Sequence, residues 1–124
     1  MIRQTTISIT VVDTVAADGT ETQAGTSAAP LNGHLEAIYV NHGTGAGTTD
    51  LTITCGSPAI PILTKADSTT DAWFYPRAAL ALNTDGSALS FYDKIPLDGY
   101  VTATLAQANA GQTCAVTIFW DDLR

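Results

Sequence analysis

"YVTATLAQANAGQTCAVTIFW", residues 100–120, reads as two runs of alternating apolar and small polar residues joined by the short turn-forming "ANAG", residues 108–111. Alternation with a period of two is what a strand with one buried face requires, because successive side chains leave a strand on opposite sides. The short turn between the runs predicts a hairpin. This pair sets the class, and the rest of the chain is read outward from it.

The same period recurs upstream. "TISITVV" puts Ile7, Ile9 and Val11 on one face and Thr6, Ser8 and Thr10 on the other. "HLEAIYVN" (His34–Asn41) is apolar on both faces, Leu35, Ala37 and Tyr39 alternating with Ile38 and Val40, which predicts an interior strand. "DLTITC" lines up Leu51, Ile53 and Cys55, and with the preceding strand and the Gly-rich "HGTGAGTT" it predicts a second hairpin. Pro58 and Pro61 lack backbone donors, so "SPAIPILT" belongs at a sheet edge or bulge. "RAALALN", the turn "NTDGS" around Asp85, and "ALSFY" predict a further hairpin. No stretch has convincing helical period. The expectation is an all-β chain, an antiparallel β-sandwich or small β-barrel of about eight short strands.

Residues 16–33, "AADGTETQAGTSAAPLNG", are small, polar and rich in turn formers. An N-terminal strand followed by such a connector predicts an extended N-terminal arm. Residues 1–33 are accordingly assigned to arm and flexible connector, and 34–124 to the β-domain.

Composition narrows the partners. At 124 residues the chain fits one domain, whose folding buries roughly two-thirds of its accessible surface. Charged residues are only 14% of the chain, so part of the surface is expected to be covered by something else. A net charge of −7, with Arg3, Lys65, Arg77, Lys94 and Arg124 scattered, argues against nucleic acid, since phosphate binding requires clustered cations. No apolar run is long enough for a signal peptide or a membrane-spanning helix, so no membrane partner is expected.

Catalytic signatures are missing. "HGTGAG" lacks the Gly-Lys-Ser/Thr ending of a phosphate loop and leads into a strand rather than a helix. His34 and His42, eight residues apart on one strand, stand roughly 26 Å from each other and share no ion. "CGSPA" and "DGSAL" do not match a nucleophile elbow, and Cys55 and Cys114 in apolar runs predict buried, inert free thiols. "DSTTD" (Asp67–Asp71) and the Asp121–Asp122 doublet lack the glycine-centred loop of a calcium cage. No catalytic residue, metal or cofactor is expected.

What remains is "TTDAWFYPRAAL", where Trp73, Phe74 and Tyr75 lie beside Pro76 and Arg77. Trp73 and Tyr75 project to one face of a strand and Phe74 to the other. Trp73, Tyr75 and Trp120 can be read as packing beneath the sheet or as an interface, since aromatic residues next to an arginine favour protein contacts; a rival reading has them exposed and stacking on sugar rings. The candidate interface residues are therefore Trp73, Phe74, Tyr75, Arg77 and Trp120, with Ile7, Ile9 and Val11 of the arm.

The blocks "GHLEAIYVNHGTGAGTTDLTI", "ILTKADSTTDAWFYPR", "IPLDGYVTATLAQ" and "AVTIFW", between Gly33 and Trp120, resemble in their order the head decoration, or cement, proteins of tailed bacteriophages. Met1–Asn32 lies outside that resemblance. It implies a β-rich homotrimer on the outer surface of the virion at three-fold and local three-fold positions, clamping adjacent subunits of the major capsid protein. An acidic surface suits the outside of a shell better than its DNA-facing lumen.

Overall fold

A computed structural model describes residues 1–12, 19–43, 45–81 and 88–122, without the side chains of 79–81 and 88–91. Eleven strands and no helix occur among them: β1 (Ile2–Thr10), β2 (Glu21–Thr26), β3 (Leu31–His42), β4 (Asp50–Cys55), β5 (Ile60–Lys65), β6 (Ala72–Phe74), β7 (Arg77–Ala81), β8 (Ala88–Lys94), β9 (Pro96–Gly99), β10 (Val101–Ala108) and β11 (Thr113–Asp122). One sheet runs β1-β11-β3-β6, with β9 also on β3. A second runs β2-β10-β4-β5, and β7 and β8 form a separate two-stranded sheet. All pairings are antiparallel. The two larger sheets curl into a half-barrel around one core, which makes the chain all-β and fits the expected sandwich or small barrel.

The core follows the alternation. Ile7, Ile9, Val116 and Ile118 of the first sheet meet Leu51, Ile53, Val101 and Leu105 of the second, all buried. Pro58 and Pro61 fall beside and on β5, an edge strand, and a register shift in the β4–β5 ladder absorbs Pro61. The sequence turn 83–87, with Asp85, lies outside the described residues, but β7 and β8 pair on either side of it as expected.

Two expected hairpins are not hairpins. β10 pairs with β2 and β4 while β11 pairs with β1 and β3, so the turn at Asn109–Gln112 carries the chain from one sheet to the other. The β3–β4 connection crosses between sheets in the same way. Alternation buries one face of a strand equally well against a facing sheet as beside a neighbour, so a short turn does not choose between them. Gln112 fixes both crossings together. Its Oε1 accepts from the main-chain N–H of Ala46 (3.2 Å) and Asn109 (3.0 Å), and its Nε2 donates to the buried Thr49 hydroxyl (3.1 Å).

The N-terminal strand is not an arm. Nine residues of β1 pair in register with β11, and Ile7, Ile9 and Val11 are core residues at 2% exposure. β2 belongs to the opposite sheet, and its Gly25 approaches β1 so closely that a Cβ there would press on Ile7 and Ile9. This contact closes the seam between the sheets without a hydrogen-bonded ladder. Gly25 suits that role because a bulkier residue would hold the edges apart, so the described residues of the first thirty-three form β1 in one sheet, β2 in the other and the start of β3.

Candidate functional site: an aromatic sheet face and a projecting hairpin

β3 is the axis of the site. Opposite the step between Phe119 and Trp120 its register slips, Phe119 pairing with Ala37 and Trp120 with Leu35, so Glu36 is an extra residue in a bulge. The bulge reverses the phase of the strand. Leu35 points inward before it, whereas Ile38 and Val40 point inward after it, leaving Ala37 and Tyr39 on the outer face. Sequence periodicity had put Leu35, Ala37 and Tyr39 together.

On that outer face Tyr39 stands opposite Trp73 of β6. Their ring centroids are 4.9 Å apart, Phe119 of β11 lies 5.4 Å from Trp73, and Tyr75 lies 6.4 Å away at an interplanar angle of 12°. The indole is 51% exposed and the Tyr75 ring 63%. Phe74, alternating to the other side, packs against the core. The Asp71 carboxylate fastens the start of β6 by accepting the His42 main-chain N–H at 2.7 Å.

The same face continues along the strands into a trough of about 370 Å³. Two rows of small residues cross β1, β11 and β3 here: Ser8, Ala115 and Asn41, then Thr10, Thr113 and Gly43. A Cβ on Gly43 would run into the Thr113 hydroxyl, so glycine keeps that end of the trough open. Among the described residues that line it there is no carboxylate, lysine or arginine, although the Asp71 carboxylate holds the main chain of His42 beside it. His42 borders it, its Nε2 2.8 Å from the Ser68 hydroxyl and its Nδ1 buried without a partner among the described residues. Burial pushes the imidazole below its ordinary pKa, an effect the nearby Asp71 charge opposes. Beneath the trough, burial drives the Cys114 thiol up to about 11, and Cys55 is also raised. Both are buried free cysteines.

The β7–β8 hairpin springs from the edge of this face. At its root the Arg77 guanidinium donates from Nη1 to the main-chain oxygens of Glu36 (3.2 Å) and Pro76 (2.8 Å), and Lys94 pairs with the Glu36 carboxylate. A bulged residue leaves the ladder, which is why Glu36 can offer both its carbonyl and its side chain. Tyr92, on β8, is 67% exposed. Among the described residues no carboxylate lies within ion-pair distance of Arg77.

The expected interface residues thus separate. Trp73, Tyr75 and Arg77 are exposed and adjacent, whereas Phe74 packs inward. Trp120 is a core residue at 8% exposure, and Ile7, Ile9 and Val11 are core residues as well, so these four leave the set of surface candidates. Tyr39, Phe119 and Tyr92 were missed, the first two because only the register places them beside Trp73. His34 and His42 lie near opposite ends of β3, and no cluster of three or more metal-ligating side chains occurs among the described residues. Compared with known proteins, the chain matches no family model and no curated sequence.

Proposed function

We propose that this chain is a non-catalytic structural subunit of a tailed-phage virion, a homotrimer that docks on the outer surface of the capsid and holds neighbouring major capsid protein subunits together. The observation that carries the docking part is the β7–β8 hairpin. It is a two-stranded sheet apart from the other two, and a hairpin of that kind is marginally stable in water by itself. Seating it on another chain removes that weakness. Tyr75, Arg77 and Tyr92 at its base and side supply the aromatic and arginine contacts that interfaces favour, and the Arg77 charge is available to a carboxylate of a neighbour. The order of sequence blocks between Gly33 and Trp120 supports the virion assignment, and a net charge of −7 suits an outer surface.

The test is mass measurement under native conditions followed by cosedimentation with empty phage shells. The wild-type chain is expected as a trimer that pellets with shells, and a Tyr75→Ser/Arg77→Glu variant as a soluble, folded chain that stays in the supernatant. A wild-type chain that is monomeric and ignores shells removes the assignment.

A further inference from the structure

We infer that the outer face of the first sheet, from Trp73 to the trough at Ser8, Asn41 and Thr113, is a binding site for a neutral oligosaccharide. The inference stands apart from the assembly role, since it concerns the sheet face and not the hairpin.

Three observations carry it. The half-exposed Trp73 indole is braced by Tyr39 and Phe119, with the exposed Tyr75 ring nearly parallel to it, so about half of an apolar aromatic surface, extended by Tyr75, is offered to solvent. Such a surface matches the C–H face of a sugar ring, and holding the ring rigid beforehand lowers the entropy lost on binding. Next to it the Thr6 and Thr117 hydroxyls bond each other at 3.1 Å, and beyond them the trough presents hydroxyls of Ser8, Thr10 and Thr113 and the amide of Asn41. Hydroxyls both donate and accept, as sugar hydroxyls do, and an amide offers both roles side by side. Lastly, the described lining of the trough carries no acidic or basic side chain other than His42, in a chain of net charge −7, which disfavours phosphate, sulfate and other anionic ligands. Burial also keeps His42 neutral at its border.

The dimensions select a short chain of sugars rather than a single one. From Tyr39, beside Trp73, to Gly43, just past the end of β3, is four residues, about 13 Å at the rise of an extended strand. One ring on the indole therefore leaves the next units over the hydroxyl rows. Trp73 anchors, Asn41 and Thr113 fix orientation, and Gly43 keeps the far end clear.

Tryptophan fluorescence gives the test. Trp73 is the exposed indole and Trp120 the buried one, so a ligand on the face perturbs the first. The full chain is titrated with cellotriose, maltotriose, mannotriose and chitotriose, and with a sialylated trisaccharide as the anionic comparison. At least one neutral trisaccharide is expected to produce a saturable change with Kd at or below about 1 mM. Affinity read by calorimetry should drop about tenfold or more in Trp73→Ala, remain partly in Trp73→Phe, and weaken several-fold in Asn41→Ala. Unchanged thermal midpoints would show that the variants fold. The inference is overturned if no neutral trisaccharide binds up to about 10 mM, if Trp73→Ala binds like wild type, or if the sialylated sugar binds equally well. It is also overturned if Trp73→Ala abolishes trimer formation while wild type binds no sugar, which would make the face a protein contact.

Discussion

Glu36 and Gly33 show how much of this fold turns on single positions. The extra residue at Glu36 sets which half of β3 faces the core, and nothing in "HLEAIYVN" marks it, because a strand that is apolar on both sides fits either phase. Gly33, three residues earlier, lies against β11, and a Cβ there would run into the Asp121 carbonyl oxygen and touch the Trp120 ring. Neither obstacle can move cheaply, one being backbone and the other core. Gly33→Ala is therefore expected to lower unfolding free energy by about 1–3 kcal/mol, read as a shifted urea midpoint with unchanged slope. His42 sets a pH dependence of definite sign. Its folded pKa lies below the ordinary value, so as pH falls through about 6.5 the unfolded chain takes up a proton that the folded chain refuses. Stability contributed by the neutral imidazole is full above that point, is lost on the way down to the folded pKa, and changes no further below it. Urea midpoints measured from about pH 7.5 to about pH 5 should fall less steeply in His42→Gln than in wild type.

Most of the strands were legible from their period, but β2 and β9 were not, and eleven strands occur among the described residues where about eight were expected. Ile7, Ile9 and Val11 were read correctly as one face of a strand, yet assigned to a detached arm because the polar run after them looked like a linker. Composition describes how a segment interacts with water, not what it lies against. Here β1 has nine partners on β11, and its apolar face is sealed by β2. The consequence is measurable. Ile9→Ala should cost about 2–5 kcal/mol, the range for a large buried aliphatic reduced to a methyl. Ile2→Ala, on the exposed start of the same strand, should change stability by no more than about 0.5 kcal/mol. Comparable, small effects at both positions would mean that β1 does not belong to the core. The two misread hairpins have a related cause, since a short turn can join neighbours in one sheet or partners across a sandwich. The strand pairings reveal the second arrangement, and the contacts of Gln112 with Ala46, Asn109 and Thr49 that fix it link residues more than sixty positions apart as well as near ones.

At the scale of the whole molecule the chain divides into a body that completes its own core and a hairpin that does not join either main sheet. The aromatic cluster at Trp73 to Tyr75 was visible in the sequence as a concentration of anchors, but its division into a sheet face and a hairpin root was not, because β6 ends at Phe74 and Pro76 breaks the strand before β7. That division allows the two to be separated experimentally. Arg77 and Lys94 face each other across the base of the hairpin, so residues 78–93 can be replaced by an Asn-Gly turn that joins them directly. Both anchoring contacts, Arg77 to the Glu36 carbonyl and Lys94 to its carboxylate, remain in such a chain. None of the described core residues lies in the replaced segment, and a cooperative thermal transition close to that of wild type is expected. Native mass measurement should then find a monomer, and cosedimentation with shells should fail, while sugar-induced fluorescence of Trp73 persists. A shortened chain that still assembles and still decorates shells would place the subunit contacts on the body instead, with the Trp73 face the first region to search.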